Sequence, residues 1–124
     1  VDLKQLKEKS EAARTFTAVY KGHSYTLRLP TRHETRATVA QVTEQYGNAN
    51  FVWARTLLER ALVGWTGPTV GDVLPDGGQE PLLWEPAAVV LLLDERPDIE
   101  DFLSGELMER IKERNTKLEA LTKN

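Results

Sequence analysis

Between Gly64 and Pro97 the chain is punctuated too often for one helix or one strand to pass through it. An amphipathic run from Leu57 enters Gly64-Trp65-Thr66-Gly67-Pro68, and an acidic, glycine-rich loop comes next. Pro81-Leu82-Leu83-Trp84-Glu85-Pro86 then opens a strongly apolar segment that halts at Asp94-Glu95-Arg96-Pro97. Proline lacks a backbone N–H and biases the residue before it away from the helical region, so Pro68, Pro86 and Pro97 each mark a boundary. A tryptophan stands at each mouth of the loop. Stacked on each other or on a shared apolar floor, Trp65 and Trp84 would hold a polar loop at fixed ends, so a clamped loop is expected in place of a free linker. The chain before this stretch reads as a platform, and the chain after it as an arm.

The platform begins with residues 1–13, where Leu3, Leu6 and Ala12 sit among lysines and acids. That spacing permits one helical face with little apolar mass to bury, so this segment is expected to be helical or flexible, ahead of a single domain over residues 14–124. From Thr15 the period changes to two. Phe16, Ala18 and Tyr20 alternate with polar residues, Gly22 suits a tight turn, and Tyr25, Leu27 and Leu29 alternate again up to Pro30, which predicts a β-hairpin. Two strands alone are marginal in water, so their apolar face must lie on helices or on another copy. Thr31-Arg32-His33-Glu34 has the form of a capping box and starts a helix with Val39, Val42 and Tyr46 on its apolar side. Phe51, Ala54, Leu57, Leu58, Ala61, Leu62 and Trp65 predict the next helix, with Gly64 as a stop signal. Pro86 and Pro97 each fit a first helical position, and Asp98, Glu100 and Asp101 complement the positive end of the last helix dipole. The fold class is α+β, predominantly helical: an N-terminal hairpin and then about four helices.

Charge is distributed unevenly. Residues 72–109 hold eleven acids against Arg96 alone, whereas residues 14–60 carry seven basic and three acidic side chains. Such a field favours basic partners or charge-matched self-association and opposes nucleic acid near the acidic region. There is no cysteine, which excludes disulfides, thiol nucleophiles and zinc-thiolate sites. No apolar run approaches the length of a membrane span and no hydrophobic leader is visible, so a soluble, cytoplasmic protein is expected.

His23 and His33 lack ligand-like neighbours, the acids at 94–101 lack the pattern of a calcium loop, and no Lys-Ser/Thr comes after Gly64, Gly67 and Gly71. No enzyme, metal or cofactor is therefore expected. Arg28, Arg32 and Arg36 beside Tyr25 form the only candidate nucleic-acid surface, and ordinary solvated charge explains them better. The stripe Ile99, Leu103, Leu107, Ile111 and Leu118 on the last helix lies beyond the central apolar segment. It is either core or a face that takes another helix.

Leu62-Val63-Gly64-Trp65-Thr66-Gly67, then Pro81-Leu82-Leu83-Trp84-Glu85-Pro86, then Leu92-Leu93-Asp94-Glu95-Arg96-Pro97-Asp98, with a charged helix ending in Lys123-Asn124, resemble the tail assembly chaperones of long-tailed bacteriophages. The hairpin leading into Leu29-Pro30-Thr31-Arg32 is similar to that family's front end. The family's short form is extended by a programmed translational frameshift. The resemblance implies a mostly helical protein that coats the tape measure protein, keeps it soluble, and helps recruit the major tail tube protein through the longer form. It also implies action in the host cytoplasm, absence from the mature virion, and no catalytic residues. On this view Leu103, Leu107, Ile111 and Leu118 face either the tape measure helix or a second copy in a homo-oligomer, with neither nucleic acid nor membrane as partner. A structural tail-completion or connector protein kept in the virion is the alternative, and a small DNA-binding regulator using the helix from Thr31 is a third reading.

Overall fold

The computed structural model describes residues 2–48 and 50–123. Helix α1 (Leu3–Arg14) leads into β1 (Thr15–Tyr20) and β2 (His23–Arg28), then α2 (Arg32–Tyr46), α3 (Asn50–Ala61) and β3 (Leu62–Thr66). A short α4 (Val70–Val73), then α5 (Pro86–Glu95) and α6 (Pro97–Thr122), complete the chain. The class is α+β and mostly helical, as expected, with a three-stranded antiparallel sheet near the N-terminus.

The hairpin has an unbroken register from Thr15 opposite Arg28 to Tyr20 opposite His23. Its two-residue turn places Lys21 at φ 48° and Gly22 at φ 81°. Two consecutive positive φ values match the twist of the strands they join, and Gly22 takes its value without the Cβ clash that Lys21 must accept. The box at the start of α2 is present: the Glu34 N–H donates to Thr31 Oγ1 and the Thr31 N–H donates to the Glu34 carboxylate.

One element differs from expectation. Leu62 and Trp65 do not continue α3; they lie in β3, antiparallel to β2, with a register irregularity at Thr26/Leu27. Leu62-Val63-Gly64-Trp65-Thr66 mixes β-branched residues, an aromatic and a glycine, a poor helical run, and the open edge of β2 offers it a full ladder of backbone partners. Phe51, assigned to the apolar face of α3, is 79% exposed. Tyr46 in α2 is exposed as well, leaving Val42 and Thr38 as that helix's buried side chains.

Ala18, Tyr25 and Leu27 on one sheet face join Leu58, Ala61 and Leu62, Val89, Leu92 and Leu93 of α5, and Ile99, Leu103 and Leu107 of α6 in one core. Pro86 and Pro97 stand at the starts of α5 and α6, and Arg96 between them leaves helical geometry at φ −126°. α6 has 26 residues, about 39 Å at the usual rise. Its stripe enters the core at one end only. Ile99, Leu103 and Leu107 are at most 1% exposed, Ile111 is half-buried, and Leu118 and Leu121 are 48% and 74% exposed. Leu103 and Leu107, read from sequence as partner-facing, are therefore core residues, because α6 crosses the sheet there and packs on α3 and α5.

Truncating the two halves of this stripe should separate them. Leu107→Ala is expected to lower unfolding free energy by about 2–5 kcal/mol, whereas Leu118→Ala should stay within about 0.5 kcal/mol of the parent, both read by urea denaturation.

Candidate partner-binding groove

Where the stripe of α6 emerges, a groove of about 630 Å³ opens between the tail of α6, the end of α1 and the start of α2. Leu29 and Pro30 on one side and Ile111 and Leu118 on the other supply apolar surface; Arg14, Arg32, Arg36 and Arg114 supply positive charge, with Glu119 as the one acidic lining residue. The local structure explains why the arginines meet. The Leu29 N–H donates to the Arg14 carbonyl, 2.8 Å, and Arg14 Nη1 donates to the Pro30 carbonyl, 3.2 Å, which ties the end of α1 to the segment entering α2. Arg32 and Arg36 are one helical turn apart on α2, and Arg114 is one turn before Leu118 on α6, so both walls repeat at the same pitch.

Four arginines against the one carboxylate of Glu119 leave this groove with an excess of positive charge. Arg28 donates to Glu11 at 2.6 and 2.9 Å and to Glu34 at 3.1 Å. Arg55 reaches Asp94 and Glu100, both at 2.6 Å. Arg96 grips Asp98 with two bonds, 2.9 and 3.0 Å, and also holds Asp72. None of Arg14, Arg32, Arg36 and Arg114 has a salt bridge among the described residues. Burial, then the nearby Arg114 and Arg28 guanidinium groups, lower the pKa of Arg14, against Glu11 and Glu34, which raise it. The nucleic-acid surface considered from sequence does not assemble: Arg28 is spent on Glu11 and Glu34, and Tyr25 is fully buried.

A second concavity of about 660 Å³ lies between α2, α3 and α6, lined by residues such as Tyr46, Phe51, Arg55 and Glu100. Arg55 there is neutralised by acids, and Arg60 is engaged by Thr38 and Gln41. His23 and His33 do not join a ligand set: among the described residues no three His, Cys, Asp or Glu side chains converge as for a metal.

The loop at the opposite end of the hairpin is clamped at both mouths, by hydrogen bonds instead of ring stacking. The Trp65 indole N–H donates to the Leu82 carbonyl, 2.7 Å, and that of Trp84 to the Leu62 carbonyl, 3.1 Å. Backbone bonds Leu82 to Pro68, Val70 to Glu80 and Gly71 to Gly78 form rungs across the loop between them. The stacked ring pair among the described residues is Tyr20 with Phe102, centroids 4.7 Å apart. Asp98 joins this end to α6, accepting from Arg96 and from the Tyr20 hydroxyl, 3.1 Å. The Arg96 guanidinium, then the Tyr20 hydroxyl, hold the Asp98 carboxyl well below the usual carboxylate range. Asp72 is held low too: burial raises it, but the Thr69 N–H and hydroxyl and Arg96 outweigh that. Tyr25 behind them has no protein partner for its hydroxyl, and burial, then Asp72, push its pKa up to about 12.

No family model, curated protein or solved structure matches the chain. Among the described residues no helix is long and apolar enough to cross a membrane.

The loop and its anchors can each be tested by one substitution. Trp84→Phe keeps the ring and removes the N–H, so limited proteolysis should cut between Leu74 and Pro81 faster than in the parent while the fold persists. Because Asp98 and Asp72 have folded pKa values below their unfolded ones, the unfolded chain takes up protons first. Their stabilisation is complete above about pH 4 and is lost as pH falls through the folded values. Asp98→Asn should flatten the acid side of a plot of stability against pH.

Proposed function

We propose that this chain is a tail assembly chaperone of the kind long-tailed phages use. In this role it binds the tape measure protein, keeps it soluble in the host cytoplasm, helps recruit tail tube subunits through a frameshifted longer form, and is absent from the finished virion. It acts by lending surface and performs no bond-making step. The observation that carries this reading is the division of α6. After Ile111 the helix runs on as an amphipathic arm whose Leu118 and Leu121 have no place in the protomer's core. An arm of this kind provides what a holdase needs, exposed apolar side chains at helical spacing on a rigid base, with enough charge around them to prevent collapse. Exposed Leu3 and Leu6 on α1, a helix with no buried residue, extend the same supply of apolar surface. The Trp, Pro and Asp motifs from Leu62 to Asp98 support the family assignment, and the clamped loop and the two proline-started helices are the structures those motifs build here.

The surface to test is the exposed end of the stripe. Leu118→Asp combined with Leu121→Asp should leave the fold intact and send a co-expressed tape measure protein from the supernatant to the pellet. Undiminished solubility of the tape measure protein with this variant would show that the arm is not the client-binding surface.

A further inference from the structure

Of the three concavities, the buried Tyr25 hydroxyl, the Arg96 network, the acidic loop and the exposed apolar side chains, the groove beside the arm sets the most arginines without a salt bridge beside an apolar floor. We infer that this groove selects a helix whose apolar stripe is flanked by carboxylates, so that the client it takes is an acidic amphipathic segment. The inference rests on the chaperone reading for its occupant and adds the occupant's chemistry.

The first ground is charge left unspent. The chain pairs Arg28, Arg55 and Arg96 with two or three acids each, yet around one groove it sets Arg14, Arg32, Arg36 and Arg114 against the lone carboxylate of Glu119, with no salt bridge to any of the four among the described residues. Gathering four guanidinium groups around a single lining carboxylate, Glu119, costs free energy, and Arg114 adds to the burial that lowers the pKa of Arg14. An anionic occupant relieves it. Guanidinium groups bind carboxylates through paired, directional hydrogen bonds, so each arginine that closes on an incoming Glu or Asp adds orientation as well as attraction.

The second ground is shape. The groove runs between two helical walls, and its charges and apolar groups recur at helical intervals: Arg32 to Arg36 on α2, Ile111 to Leu118 on α6. A partner with carboxylates one turn apart and an apolar face between them matches that spacing along its length. The apolar floor of Leu29, Pro30, Ile111 and Leu118 takes the stripe and the arginines take its flanks.

Chemistry argues against nucleic acid as occupant. The lining includes no aromatic side chain on which a base could stack, and the eleven acids of residues 72–109 repel a phosphate backbone. A carboxylate-flanked helix brings fewer charges and an apolar face the floor can cover.

The test uses the full chain and two synthetic helical peptides of about 18 residues, ~27 Å of helix, with the same leucine stripe, one flanked by glutamates and the other by lysines. Binding is read by fluorescence anisotropy at low and high salt. The glutamate peptide is expected to bind, to weaken as salt rises, and to lose about tenfold in affinity in Arg32→Gln with Arg36→Gln, two side chains outside the core whose replacement should leave the circular dichroism spectrum unchanged. The lysine peptide should not bind measurably. Equal binding of the two peptides, or glutamate-peptide binding indifferent to the arginine variant, overturns the inference. Tighter binding of a short DNA duplex than of the glutamate peptide also overturns it, in favour of a phosphate site. Co-expression with the tape measure protein keeps the two readings apart: no glutamate-peptide binding by the parent chain, together with a tape measure protein kept soluble by both parent and arginine variant, sinks the acidic-client inference and leaves the chaperone reading standing.

Discussion

Burial of Ile99, Leu103 and Leu107 beneath the sheet is the contact on which the rest of the molecule depends. A three-stranded sheet with one apolar face is not stable bare in water, and α6 with α3 and α5 supplies the cover. Each buried leucine or isoleucine contributes roughly 1.5–3 kcal/mol from area removed from water, so three of them account for a large share of what a small domain can have. Once this end of α6 is seated, its direction is set. The rest of a 26-residue helix must then project past the sheet. The seating of the first three turns thereby creates both the arm and the groove beside it.

Charge then divides the molecule by function. At the hairpin's turn, Arg96, Asp98, Asp72, Tyr20 and Thr69 form a closed network joining sheet, loop and the α5–α6 corner. Its groups satisfy one another, which suits a structural joint and leaves little for a ligand. At the hairpin's open end four arginines face the groove with Glu119 as its single carboxylate. The six-residue strands between the two ends separate a self-satisfied pole from an unsatisfied one. Only the second offers an incoming polypeptide a gain in electrostatic free energy.

Much of the architecture obeys rules that act within a few residues, and those parts were legible in the sequence. The hairpin needs only period two and Lys21-Gly22; the start of α2 needs only Thr31 and Glu34; the corner between α5 and α6 needs only Pro97. The parts that escaped depend on neighbours distant in the chain. Leu62 to Thr66 becomes a strand because β2 has an open edge, and an isolated helical periodicity at Leu58, Ala61, Leu62 and Trp65 cannot report that edge. The stripe of α6 reads identically at Leu107 and Leu118, although one is fully buried and the other half exposed, because periodicity tells which face is apolar and not where a partner ends. Arg14 and Arg114 meet across a hundred residues, so the groove they define has no local signature, and the uneven charge along the chain was its sole hint. The two tryptophans did announce a clamp, but aromatic identity alone could not tell that their N–H groups, not their rings, close it.

The central claim is that α6 serves its own core up to about Ile111 and a partner beyond it. Amide hydrogen exchange along α6, measured with and without the tape measure protein, addresses this most directly. Strong protection from Ile99 to Leu107 is predicted in both states. Fast exchange is predicted from Lys112 to Thr122 in the free protein, with protection gained there and at Arg32 to Arg36 when the client is added. Uniform protection of the whole helix in the free protein, or no change beyond Ile111 on adding the client, would contradict it.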